Sequence, residues 1–324
     1  MDGLLVVDKP SGPTSHDIVA RLRRLLQEKR VGHTGTLDPM ASGVLPLLIG
    51  RATRLARFLS ATEKRYEATV RLGLSTDTYD ALGQPAGIAY AGPLPDDSAI
   101  ERALDAFRGT FMQQPPAFSA KKVGGRRSYR LARARSRGRV EGQEIVDALP
   151  GTTDPDAGSE PLLPAPATVT TTWLELVSVE HEFVRLRLAC SSGFYVRSLA
   201  YDLGQALGTG GHLAALRRTA TSGVTLTDAI SLAELMDEGG RQRADAAHIP
   251  LERMLLGLPR VDLTTLGTER VAKGRDLGPA ETLGSGAAVA GDGPFRLFGP
   301  GGHLLAIGER SSDQGFLHPS VVLM

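Results

Sequence analysis

The apolar residues of the first hundred positions change period several times, and each change marks an element. GLLVVD at residues 3–8 is a short, nearly continuous apolar run, the pattern of a buried strand. Thr14 or Ser15 then stands at a helix start. Ile18, Val19, Leu22, Leu25 and Leu26 follow at helical spacing, opposite a polar face that carries Arg21, Arg23, Arg24, Lys29 and Arg30. In GHTGTLDPMASG, residues 32–43, periodicity disappears. Three glycines, two threonines, a histidine and an Asp-Pro step sustain neither helix nor strand, so the backbone turns there. Pro39 keeps Asp38 out of the helical region. VLPLLIG reads as a buried strand with an edge or bulge at Pro46, and residues 51–59 as a short basic helix. Residues 64–74 alternate, with Tyr66, Ala68, Val70 and Leu72 on one face.

Beyond these, residues 97–107 carry a helical pattern. Residues 168–179 and 182–190 read as strands, the second placing Val184, Leu186 and Leu188 against Arg185 and Arg187. A helix is expected from about 194 to 207, with Arg197 in its first turns, where a cation gains nothing from the helix dipole and better serves a partner anion. From residue 258 the chain breaks into short strand-like pieces and Gly turns, which predicts a small separate β module. The pattern is that of an α/β (α+β) protein: a larger domain over 1–250 and a smaller one over 258–324.

Composition supports an ordinary folded protein, 41% hydrophobic and 23% charged over 324 residues. No apolar run approaches the roughly 20 residues of a spanning helix, and the start MDGLLVVDKP has no secretory pattern, so a cytoplasmic, membrane-free protein is expected. Cys190 is the one cysteine, which rules out an internal disulfide and a multi-cysteine metal site; it reads as a small buried hydrophobe. The net charge of +1 conceals strong segregation. Residues 1–140 hold 23 Lys/Arg against 13 Asp/Glu, residues 141–184 hold none against nine, and the remainder balances at 14 each. Nine of the cations lie between 121 and 139 with no acidic residue among them. Such clustering would neutralise several phosphates, although a basic linker has the same composition. Residues 141–167 are acidic and rich in Pro and Gly, the composition of a surface loop that avoids phosphate.

Read alone, Asp38 and Ser42 fit turn capping as well as chemistry. His33 could stabilise its turn, Tyr66 could be a core aromatic, and Asp80 in TDTYDALG could form Asx-turns or meet a cation. Four ordered motifs add to this reading. GHTGTLDPMASGVLPLLIG resembles the signature of the bacterial tRNA pseudouridine synthases that modify uridine 55, the TruB family. GLLVVDKPSGPTSHDIV resembles that family's Lys-Pro motif, KRYEATVRLGLSTDTYDALG its active-site tyrosine segment, and CSSGFYVRSLAYDLGQALGTGGHLAALRRT its Tyr-x-Arg segment.

The resemblance implies a pseudouridine synthase fold, with a central, mostly antiparallel mixed sheet flanked by helices and a small C-terminal PUA-like β-barrel domain. It implies Asp38 as nucleophile, with Tyr66 and Arg197 as its catalytic companions. His33, Tyr195, Leu216, Lys9 and Asp80 fall at positions expected to bind substrate. Residues 112–140 would be a thumb-like RNA-binding insertion. The implied partner is the T stem-loop of tRNA, and the implied enzyme is an isomerase working as a monomer. The reaction needs no redox partner or energy carrier; the chain has no dinucleotide fingerprint, no Walker loop and no Cys/His metal spacing, so no cofactor and no metal are expected. A protein of another class, an RNA-binding or tRNA-folding chaperone, would use the same surface.

Overall fold

A computed structural model of the protein describes residues 1–119, 122–123, 126–127, 163–283, 293–311 and 316–324. The architecture is mixed α/β with largely antiparallel strand pairing and a smaller four-stranded C-terminal sheet. The chain forms two compact units, one of Met1–Thr62 with Thr219–Met324, the other of Glu63–Arg218. Among the described residues no helix is long and apolar enough to cross a membrane.

In the first unit Gly3–Lys9 pairs antiparallel with Ser42–Ile49, from Gly3 opposite Ile49 to Lys9 opposite Gly43. Ile230–Ser231 pairs parallel with Gly3–Lys9, and Val31–His33 pairs with the far end of Ser42–Ile49. Leu4, Leu5, Val6 and Val7 are all buried, which explains a continuous apolar run in place of alternation. The bulge or edge expected at Pro46 is not there: Pro46 lies in register opposite Val6 with no shift. The reason is directional. Its carbonyl accepts from Thr34 N at 3.3 Å, and in a strand N and C=O of one residue face the same side. The missing donor is therefore not one that the Gly3–Lys9 ladder requires.

The helix Ser15–Leu26 starts from a capping box in which Thr14 Oγ1 accepts from Asp17 N and the Asp17 carboxylate accepts from Thr14 N. It ends where Gln27 turns left-handed at φ 52°. Ile18, Val19, Leu22 and Leu26 are buried as expected.

The C-terminal sheet runs in the order Arg260–Asp262, Phe295–Phe298, Leu304–Arg310, Leu317–Val322. Between its first two strands lies a helix, Thr265–Ala272, where only strands and turns were expected. Thr264 Oγ1 caps it by accepting from Gly267 N at 3.1 Å. Gly267 suggests a turn in the sequence, but it serves close packing: a Cβ there would stand 2.2 Å from Glu281 O. The module has its own core of Val261, Leu263, Val271, Leu277, Phe295, Leu297, Ala306 and Leu317. Phe298, Leu304, Ile307 and Leu323, however, share a second core with Leu4, Val6, Val44, Leu48 and Leu55. Arg51 Nη1 also donates to Leu323 O at 2.7 Å. The compact units accordingly divide at 62/63 and 218/219, with the C-terminal module in the same unit as the N-terminal strands that cover its apolar flank.

In the second unit the strands follow the order Lys64–Leu72, Phe183–Cys190, Ala167–Glu180, Gly109–Gln113, all antiparallel. Tyr66, Ala68, Val70 and Leu72 are buried on one face, with Val184, Leu186 and Leu188 of the neighbouring strand. On the other face Glu67 stands opposite Arg187, and Arg187 Nε meets Glu67 Oε1 at 3.3 Å. Cys190 is fully buried, and burial pushes its thiol up to about 12. The helix Val196–Ala206 packs against Lys64–Leu72, and Asp97–Leu104, capped by Asp96, packs against Ala167–Glu180. Of the basic insertion, Lys122–Val123 pairs antiparallel with Arg126–Arg127; residues 128–140, and 141–162 of the acidic loop, lie outside the described residues.

Burial also acts on Asp202 in the helix Val196–Ala206, raising its carboxyl to about 6. Between the ordinary value of about 4 and about 6 the folded protein keeps a proton that the unfolded chain has lost, so stability falls as pH rises through that window. Asp202→Asn is expected to raise the melting temperature at pH 7.5 and to leave it unchanged below about pH 4. Melting curves at both pH values test this; an equal shift at the two would refute it.

Candidate active site

Asp38 sits half-buried in the turn between Val31–His33 and Ser42–Ile49, and the main chain around it is held from both sides. Before it, Leu37 N donates to Ser15 Oγ at 2.8 Å, and that hydroxyl donates back to Leu37 O at 3.0 Å. After it, Gly12 N donates to Pro39 O at 2.8 Å, and Ala41 N closes the turn on Asp38 O at 3.1 Å. Lys9 completes the clamp. Its ammonium donates to Ala41 O at 2.6 Å, Pro10 O at 2.8 Å and Pro39 O at 3.3 Å, and the side chain is fully buried. Lys9, expected to contact substrate, has its ammonium among these chain carbonyls, where it braces the Asp38 turn. Residues 9–15 and 37–41, two separate sequence motifs, thus form one rigid corner.

A second cluster is built in the other unit. Arg197, in the first turn of Val196–Ala206, is 5% exposed, and Asp80 is 6% exposed. Arg197 Nε lies 3.8 Å from Asp80 Oδ2, while Nη1 donates to Thr78 O at 3.0 Å and Nη2 to Phe118 O at 2.8 Å. Asp80 Oδ1 meanwhile accepts from Thr78 Oγ1 at 2.7 Å and Leu82 N at 3.0 Å. Both readings left open for Asp80, Asx-turn and cation partner, hold at once on its two oxygens. The turn is pinned further by Leu213 N donating to Tyr79 O at 2.9 Å and Ala81 N to Leu213 O at 3.0 Å. Tyr79 itself is left-handed at φ 63° and stacked on Tyr201 with ring centroids 4.0 Å apart. A non-glycine residue held there costs on the order of 1 kcal/mol or more, so the surrounding contacts over-determine the turn.

Similarity to known proteins bears on what this arrangement serves. Residues 23–146 match the family described as TruB family pseudouridylate synthase (N terminal domain), and residues 197–260 the tRNA pseudouridylate synthase B C-terminal domain. The tRNA pseudouridine synthase B of Solibacter usitatus is 41% identical over 323 residues, covering all of both chains. The chain belongs to the TruB family. Another member, the tRNA pseudouridine synthase B of Thermobifida fusca, is 40% identical over 99% of this chain and 98% of its own. Among solved structures, a chain of a Cbf5-Nop10-Gar1 complex superposes with a TM-score of 0.66 at 24% identity, covering 99% of this chain and 85% of that one. That likeness shows the fold, a pseudouridine synthase fold, and family membership makes the protein an isomerase.

The remaining residues assigned from the TruB resemblance lie as follows. Tyr66 is 8% exposed, opposite Leu188 on the inner face of its strand. Leu216 is 8% exposed in Gly211–Thr221. Tyr195 is the N-cap of Val196–Ala206. His33 is half-buried at the end of Val31–His33, opposite Leu47. Sequence reasoning missed Gly12 and Ser15, which grip the Asp38 turn, and Thr78 and Phe118, whose carbonyls take the Arg197 guanidinium. The sequence marks Ser15 only as an alternative to Thr14 at the helix start; its burial, at 2% exposure, and its bonds to Leu37 come from the tertiary structure.

Proposed function

We propose that this TruB-family isomerase converts uridine 55 in the T loop of tRNA to pseudouridine, with Asp38 as its nucleophile. The observation that carries the reading is the Asp38 turn, whose flanking main chain is bound by Lys9, Gly12 and Ser15. A backbone so constrained fixes the point from which the carboxylate projects before substrate arrives, which lowers the entropic part of the barrier. The curated relatives at about 40% identity bear the name tRNA pseudouridine synthase B.

In the reaction the N1–C1′ bond of uridine breaks, the uracil turns, a C5–C1′ bond forms, and the C5 proton is lost while N1 regains one. Atoms and electrons balance without a cofactor. Asp38 supplies the carboxylate for the sugar-to-base bond exchange. Arg197 sets the electrostatics, Tyr66 stacks on the base and aids removal of the C5 proton, and Tyr195, Leu216 and His33 hold the flipped nucleotide. Extrusion of a base costs a few kcal/mol, and aromatic stacking returns roughly 1–3 kcal/mol per base. Lys9 and Asp80 act as positioning residues, Lys9 on the turn and Asp80 on Arg197. The protein acts as a monomer in the cytoplasm, with residues 258–324 adding PUA-like contacts to RNA.

The experiment is incubation with an unmodified T-arm stem-loop followed by carbodiimide-dependent primer extension. Pseudouridine at position 55 is the expected result; modification at another uridine, or none, would sink the reading. Arg197→Lys is expected to slow single-turnover isomerisation by about a hundredfold, because an ammonium cannot serve Thr78 O, Phe118 O and Asp80 from one planar fork. A rate within threefold of wild type would contradict that role.

A further inference from the structure

Gln113 ends the strand Gly109–Gln113 and is 2% exposed. Its amide spends both ends on one residue: Oε1 accepts from Tyr195 N at 2.8 Å, and Nε2 donates to Tyr195 O at 3.0 Å. The orientation is fixed by the partners, since a backbone N–H only donates and a carbonyl only accepts. The bonding is that of a ladder residue in a sheet, made by a side chain.

Tyr195 is where such a device is needed. It is the N-cap of Val196–Ala206, at φ −114° and ψ 110°, and its own side chain makes no capping bond. In a capping box the residue three positions on, usually Glu or Gln, reaches back to the N-cap N–H. Here that residue is Ser198, 1% exposed, and its hydroxyl instead donates to Gln114 O at 2.7 Å. Gln113 therefore performs from a distant strand what a capping-box glutamine performs within a helix. Arg197 has its own anchors on Thr78 O and Phe118 O, so the effect of the Gln113 amide falls on Tyr195.

We propose that Gln113 is a positioning residue for the isomerisation: by holding N and O of Tyr195 it sets the φ and ψ from which the Tyr195 ring is aimed at the flipped nucleotide. The inference rests on the reading of Tyr195 as a substrate contact.

The test is single-turnover isomerisation of a T-arm stem-loop, with RNA affinity by filter binding and melting curves, for wild type, Gln113→Ala, Gln113→Met, Gln113→Glu, Tyr195→Ala and the Gln113→Ala/Tyr195→Ala pair. Met keeps the length and volume of Gln without its bonds, which separates lost hydrogen bonds from a cavity. Glu keeps the acceptor for Tyr195 N and so preserves the fold most gently. The expected result is a rate lowered about 10- to 100-fold in Gln113→Ala and Gln113→Met, less in Gln113→Glu, with RNA affinity within about threefold of wild type. In the Tyr195→Ala background, Gln113→Ala should cost less than about threefold, because the ring it aims is gone. A purely structural role would lower the rate by the same factor in both backgrounds, and that result, or wild-type rates in the Gln113 variants, overturns the proposal. An inactive wild type would instead overturn the uridine 55 reading and this inference with it.

Discussion

Asp38→Ala is expected to abolish isomerisation, by at least about a thousandfold in the single-turnover rate, while the protein still folds and binds the T-arm. Removal of a nucleophile eliminates the covalent route, and losses of this size or greater accompany such deletions. That the fold survives follows from where the turn is held. Ser15, Gly12 and Lys9 grip the main chain of Leu37, Pro39 and Ala41, and these bonds survive loss of the Asp38 side chain. The Asp38 backbone should therefore keep its place in the variant. Asp38→Asn, close to isosteric, should be equally inactive, which separates lost chemistry from lost shape. Primer extension on the stem-loop reads the chemistry and filter binding reads the affinity. Residual activity within tenfold of wild type in either variant would remove Asp38 from the mechanism.

The second large effect is on stability. Lys9→Met should destabilise the protein by about 3–5 kcal/mol, because three charge-assisted bonds to Pro10, Pro39 and Ala41 carbonyls disappear in a fully buried site. Methionine fills the volume of the lysine stem, so a cavity adds little and the loss reports the bonds. For a chain of this size that corresponds to a fall in melting temperature of roughly 10 °C. Isomerisation should fall as well at temperatures where the variant is folded, since the flank of Asp38 is released. Calorimetry and single-turnover rates check both parts. A melting temperature lowered by less than 2 °C would mean that the carbonyls are as well served by water, and that Lys9 does not brace the turn.

The Gly3–Lys9 strand, the Thr14-capped helix and the inward face of Tyr66, Ala68, Val70 and Leu72 were legible because period and capping chemistry are local. The buried Cys190 was legible for the same reason. The helix Thr265–Ala272 was not, because Gly267, packed tightly against Glu281 O, looks in sequence like the Gly of a turn. The affiliation of the C-terminal sheet was equally hidden: which strands cover Phe298, Leu304 and Ile307 depends on contacts far apart in the chain.

For the site the division is sharper. The sequence by itself determined that the chain turns within residues 32–43, although the strands reach His33 and start again at Ser42, and it determined the carboxylate in that turn, the tyrosine on its strand and the arginine at its helix start, because each rests on residue type and neighbours. Only the tertiary structure decided what those residues hold. Arg197 meets the Asp80 carboxylate, a partner that residue type does mark, but Lys9 also finds Pro39 O and Ala41 O, Arg197 finds Thr78 O and Phe118 O, and Gln113 finds Tyr195 N and O, all main-chain groups. Every residue carries a backbone carbonyl, so no residue type in the sequence marks the one that a buried cation will bind.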